Sequence, residues 1–276
     1  MQFIEQNRTE YRIFDSVEDL LASARSANWH FTNRPDFTGR RDLSGWDSVE
    51  EASRREWPEG LEVVDRMLTE LGAGELPKPK SRRRRLRWDE SNGDDICLDR
   101  LRSGQSFWRE SRRQVTTGPA TVTILADVCT PCNVKARDIL WRGAAAITLA
   151  RILEEADYRV ELWAYEKCNG RYDSTIGGMN VVCLKRPQDP LDLSTLVSSV
   201  SGWFYRSAFF RVPRMSRRRC CPSLGPVATA QLADLDLITS DQKRVIVQRI
   251  FDYGAAIQFI KQTLSNMNLV KEASQL

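Results

Sequence analysis

The chain predicts an α/β fold, a mostly parallel sheet flanked by helices, with an N-terminal helical segment. Two observations carry this. Residues 120–127 are rich in Val, Thr, Ile and Leu and end in Asp127, a composition that suits a strand buried on both faces. A helix rich in small residues follows and then a second apolar run, Tyr158 to Tyr165. Strand, helix, strand in that order is the local signature of a parallel α/β core. One such scaffold hosts many unrelated activities, so function must come from particular residues.

Along the chain, Ser16-Val17-Glu18-Asp19 opens a short helix ending near Ala27, with Leu20, Leu21 and Ala24 on its apolar face. Ser48-Val49-Glu50-Glu51 reads as a second helix opening. Pro58 starts another helix, because the amide it lacks falls among donors with no intrahelical partner, and Leu61, Val64, Leu68 and Leu71 recur at helical spacing. Gly72 and Gly74 end it. Residues 76–119 hold Pro77, Pro79, an arginine run and the acidic residues Asp89, Glu90, Asp94 and Asp95, which predicts a linker region between the helical segment, residues 1–75, and an α/β core, residues 120–276. In the core, Ile139, Gly143, Ala146, Leu149, Ala150 and Leu153 share one helix side, and Arg137, Thr148, Arg151 and Glu155 the other. Residues 159–164 and 179–184 form two strands of a long hairpin, 192–204 a helix, and 235–238 a last short strand. Ser240 or Asp241 then caps a terminal helix carrying Val245, Ile250, Ala256, Ile257 and Ile260.

Charge and cysteine content narrow the class. The chain has 276 residues and a formal charge of +4; 33 of its 41 basic residues are arginine, and they cluster. Arg82, Arg83, Arg84, Arg85 and Arg87 form one group, Arg109, Arg112 and Arg113 a second, and Arg214, Arg217, Arg218 and Arg219, with Arg211, a third. Guanidinium groups gathered in this way neutralise phosphates by bidentate contacts or pair with acidic surfaces. Trp88 and Trp108 sit beside the first two groups, where a ring can stack on a base or fill a core. Seven scattered cysteines suit reduced thiols better than a disulfide framework, and no apolar stretch approaches the ~20 residues of a membrane span. A cytoplasmic protein with no membrane partner is the expectation.

Few catalytic patterns remain. His30 is the sole histidine, which excludes a two-histidine zinc protease helix, and neither a Gly-x-x-x-x-Gly-Lys nor a Gly-x-Gly-x-x-Gly loop occurs. Cys129 and Cys132, in Cys129-Thr130-Pro131-Cys132, have the spacing of a redox pair or half a zinc clip. Cys220 and Cys221 are the available zinc partners, although adjacent cysteines fit one tetrahedral centre poorly.

The order over residues 120–265 (strand ending in an acid, helix, hairpin, helix, strand, helix) resembles the von Willebrand factor A-type fold. That resemblance implies a metal site of hard oxygen ligands at the strand ends. Here its residues are Asp127, Thr130 and Asp241, with Ser194 or Thr195 weakly placed; Cys129 and Pro131 replace the two serines of the family loop, so the site reads as degenerate. The chain is also similar to an uncharacterised family of phage and bacterial proteins. The shared features include Gly45-Trp46 with Ser48, Glu50, Glu51 and Ala52, then Trp57-Pro58-Glu59-Gly60, Trp141-Arg142-Gly143, Tyr158-Arg159-Val160-Glu161-Leu162-Trp163 and Pro190-Leu191-Asp192-Leu193. That family carries no activity and implies at most a viral or mobile-element origin.

Together these readings predict a non-catalytic binding module that needs no cofactor and engages a protein assembly or nucleic acid through strand-end loops and arginine clusters. The competing expectation is an enzyme. It is either a metal-dependent hydrolase or nuclease built on Asp127 and Asp241, or a thiol oxidoreductase using Cys129 and Cys132, with a divalent metal or zinc as the alternative cofactor.

Overall fold

A computed structural model describes residues 1–26, 34–72, 87–89, 95–110, 120–131, 134–169, 177–215, 228–239 and 243–267. The chain runs β1 (Gln2–Gln6), β2 (Thr9–Phe14), α1 (Val17–Ser26), α2 (Pro35–Thr38), α3 (Trp46–Arg54) and α4 (Pro58–Glu70). Next come β3 (Arg87–Asp89), β4 (Asp95–Ile96), α5 (Leu98–Arg102) and β5 (Trp108–Glu110). The remainder is β6 (Thr121–Asp127), α6 (Ala136–Glu155), β7 (Arg159–Cys168), β8 (Gly177–Lys185), α7 (Leu193–Ser199), α8 (Gly202–Ser207), a 3-10 segment (Phe209–Met215), α9 (Leu232–Leu235), β9 (Lys243–Val247) and α10 (Tyr253–Asn266). Two compact units result: Met1–Pro77 with Thr121–Leu276, and Lys78–Ala120.

The larger unit holds a six-stranded sheet in the order β1-β2-β8-β7-β6-β9. It is mixed, where a mostly parallel sheet is the sequence expectation: β2/β8, β6/β7 and β6/β9 are parallel, β1/β2 and β7/β8 antiparallel. The first fourteen residues supply two of these strands, so the N-terminal segment is not helical throughout. Asn7 and Arg8, at φ 51° and 59°, form the two-residue turn between β1 and β2, and β2 then runs parallel beside β8 with Tyr11 opposite Met179.

Alternation along the strands divides the core. Val122, Ile124, Ala126, Val160, Leu162, Ala164, Val182 and Phe14 face the main helical layer. Leu125, Trp163, Tyr165, Met179, Val181, Tyr11 and Ile13 form the smaller cluster on the opposite face, with Ala230 and Leu235 over them. Helix α6 lies deep in the larger layer, against the sheet and also against α4, α7, α8 and α10. Along its middle both sides are therefore buried, Thr148 included, and the Thr148 hydroxyl donates to the Met67 sulfur at 3.7 Å. Of the residues the spacing places on a polar side, Arg151 and Glu155 have exposed side chains and pair with each other, whereas Thr148 is buried. Gly143 lets α6 approach α7, since a Cβ there would stand 2.6 Å from the Val200 carbonyl oxygen.

Several element ends differ from expectation for local reasons. Helix α3 begins at Trp46 because Ser48 sits at its third position, where its hydroxyl accepts the Gly45 amide at 3.0 Å. Residues 192–204 form two short helices, since the Ser201 hydroxyl accepts from Phe204 N at 3.1 Å and starts a new one. Residues 235–238 leave α9 as a turn, with Ile238 N bonded to Leu235 O, and are not a strand. The last strand is β9, which takes Val245 out of the terminal helix; Asp252 caps that helix by accepting from Ala255 N at 2.8 Å.

The smaller unit is a three-stranded antiparallel sheet, β3-β5-β4, with α5 between β4 and β5. Arg87 pairs with Glu110 and Trp88 with Arg109 in its register.

Candidate functional site

At the carboxyl rim of the sheet, where β6 gives way to residues 128–135 and α6, buried polar groups replace the hydrocarbon core. Arg12 on β2, Asn180 on β8 and Glu166 on β7 occupy one line across three strands, because Arg12 pairs with Asn180 and Asn180 with Glu166 in the register. Side-chain bonds follow that line: the Asn180 amide donates to Glu166 Oε1, and Arg12 donates to Asn180 Oδ1 at 3.4 Å and to Val212 O at 3.3 Å. Glu10 sits 3.5 Å from the Arg12 guanidinium. Burial pushes the Glu166 carboxyl up to about 8, against the opposing pull of Asn180 and Arg12.

Beside this row stands an ion pair. Arg142, from the first turns of α6, is 1% exposed and donates to Asp127 Oδ2 at 2.6 Å and to Cys129 O at 2.9 Å. Asp127 also accepts the Cys129 amide at 2.9 Å. Even with a guanidinium beside it, burial raises the Asp127 carboxyl to about 6. The Cys129 sulfur lies 3.3 Å from the Tyr205 hydroxyl, and burial next to Glu166 and Asp127 pushes its thiol well above the usual range. A thiol so placed stays protonated and is a poor nucleophile. Asp127 is thus engaged by Arg142 and by the Cys129 amide, the arrangement of a structural clamp on the loop it begins. Thr130 is buried, and its hydroxyl finds no partner among the described residues.

Outside the clamp the rim opens into a cleft of about 640 Å³, a size typical of ligand sites, with Arg40, Arg41, Glu56, Trp57, Glu59 and Trp203 on its walls and the start of α6 at its floor. Arg40 is held by Asp42 and lies 4.8 Å above the Trp203 ring. Arg206 ties the rim together by donating to Phe37 O and Val134 O.

The residues singled out from sequence fall as follows. Asp127, Cys129 and Thr130 come together at the rim. Cys132 and Asp241 lie outside the described residues, as do Arg82, Arg83, Arg84, Arg85, Arg112, Arg113, Arg217, Arg218 and Arg219. Arg87 and Arg109 belong to adjacent strands of the small sheet, and Arg214 to the 3-10 segment. Among the described residues no three His, Cys, Asp or Glu side chains converge to hold a metal ion, and no helix is long and apolar enough to cross a membrane. Sequence reasoning missed Arg142, Arg12, Asn180 and Tyr205. The one available signal was a charged Arg142 within the mainly apolar stretch 139–150 of helix α6.

Charge is divided unequally between the two units. Lys78–Ala120 carries 12 basic and 6 acidic residues, a net +6, whereas the rest of the chain nets −2. The whole positive excess of the protein therefore resides in 43 residues.

No curated protein and no solved structure matches the chain. A family model described as a domain of unknown function, DUF7192, matches residues 4–270, and the chain accordingly belongs to that family.

Proposed function

We propose that this protein is a non-catalytic binding module whose partner is a nucleic acid, engaged by the arginine-rich unit Lys78–Ala120, with the α/β body as the other unit of the chain. The observation behind this reading is the charge division: a compact unit of net +6 and a body of net −2. Ten of the twelve basic residues in that unit are arginine, whose planar fork suits phosphate oxygens, and Trp88 and Trp108 stand among them as rings on which bases stack. The body supports recognition better than turnover. Its strand-end aspartate is neutralised by Arg142, and its rim thiol is held protonated.

The reading extends to fold, location and origin. From Thr121 the observed order is β6, α6, the antiparallel pair β7 and β8, short helices, β9 and α10, which supports a von Willebrand A-like core whose strand-end acid, Asp127, is paired with Arg142. The protein works in the cytoplasm, and its family belongs to phage or other mobile elements.

Fluorescence anisotropy of labelled single- and double-stranded oligonucleotides across 50–300 mM salt tests the function. Binding that weakens steeply with salt is expected, as counterions are released for each phosphate contacted. Binding that ignores salt, or none at low salt, would move the partner class to protein.

A further inference from the structure

The two ends of the six-stranded sheet are treated differently. At one end β9 enters with Lys243 and Arg244, and Arg244 is tied to Asp236 at its side and to Thr239 O at 3.1 Å. Charged residues on an edge are a common protection against strand addition. The other end is β1, Gln2-Phe3-Ile4-Glu5-Gln6, which contains no lysine, arginine or proline. Phe3 is 55% exposed on it, among the most exposed large apolar side chains of the described residues. Ile4 by contrast packs into the smaller core cluster beside Tyr11, so the strand is anchored from one face and solvent-exposed on the other.

The five residues of β1 are also complementary to themselves. In an antiparallel pairing centred on Ile4, Gln2 meets Gln6, Phe3 meets Glu5 and Ile4 meets Ile4 of a second copy. No charge then opposes a like charge, the glutamine amides meet each other, and the two Phe3 rings become diagonal neighbours. Backbone parity agrees. The two-residue turn at Asn7 and Arg8 makes Gln6 and Thr9 a hydrogen-bonded pair, so alternation turns the peptide groups of odd-numbered β1 residues away from β2. A register centred on Ile4 matches odd residues with odd residues. Centring on Glu5 would set two glutamates face to face.

We infer that β1 is a self-association edge: two copies of this chain pair antiparallel through β1, centred on Ile4, and join their sheets across a two-fold axis. The partner is identical because the edge is self-complementary, and a two-fold interface uses the same patch on both subunits.

Sedimentation equilibrium of the full-length protein, over about 1–100 μM, measures the association. A reversible dimer is expected, and a monomer throughout overturns the inference. Register is read from two substitutions at one exposed position. Phe3→Glu places like charges opposite each other twice per dimer and should raise the dissociation constant about tenfold, from two unfavourable cross-strand pairs. Phe3→Lys, facing Glu5 of the second copy, should lower it. The double variant F3E/E5K should return it to near the unsubstituted value. Circular dichroism confirms that each variant keeps its fold. A dimer insensitive to position 3, or one weakened equally by both charges and not restored by the double variant, would place association elsewhere.

Discussion

Arg142 holds the rim of this protein in place through one buried carboxylate and one carbonyl. Replacing it with methionine would fill much of the same space but leave Asp127 in the interior without its counter-ion, either charged and unpaired or forced to take up a proton. Breaking a buried pair by removing one partner costs about 3–5 kcal/mol. A urea titration of Arg142→Met should therefore show a loss of that order, whereas Arg151→Met, which removes an exposed pair with Glu155, should change little. Glu166 sets a pH dependence. Its folded carboxyl titrates near 8 against 4.5 for the free group, so the folded state holds the extra proton between those values. Its stabilising contribution is complete below about pH 4.5 and is lost as pH rises toward 8; Asp127, raised to about 6, acts in the same direction over the lower part of that window. Glu166→Gln should flatten the decline in denaturation midpoint between pH 5 and 8. An unchanged slope would show that Glu166 is not the titrating group. At this scale Asp127 was legible as the acid closing an apolar run, but its partner was not. An arginine set in the apolar middle of a helix gives no local sign of which carboxylate it will meet.

Elements follow the same division between local and non-local causes. Helix α4 was legible, with Pro58 at its start and Gly72 just past its end at φ 59°, because those signals act within a turn of where they are written. The β1–β2 hairpin was not: Arg8 in the left-handed region is no standard turn residue, and β2 is stabilised by β8, far along the chain. The division of residues 192–204 at Ser201, and the cap of α10 by Asp252 in place of Ser240 or Asp241, depend likewise on which hydroxyl or carboxylate the fold brings to a free amide. Asp252→Ala should cost about 1 kcal/mol, the usual worth of such a cap. Gly143→Ala should cost more, about 1–3 kcal/mol, because its new methyl group would meet the Val200 carbonyl and side chain with no room to yield. Thermal unfolding of both variants gives the ranking, and equal losses would mean that α6 and α7 can move apart without penalty.

For the whole molecule, the sequence displayed its arginine runs plainly but not their segregation. Only the division into two compact units shows that the positive excess belongs to Lys78–Ala120 and that the remaining body is slightly acidic. The most direct measurement is the salt dependence of oligonucleotide affinity for the unsubstituted protein beside a variant with Arg82, Arg83, Arg84 and Arg85 all changed to glutamine. The account predicts a linear fall of log affinity with log salt, and a slope shallower by roughly 2–4 in the variant, with the same fold by circular dichroism. Identical slopes for the two proteins, or no measurable affinity for nucleic acid at low salt, would contradict it.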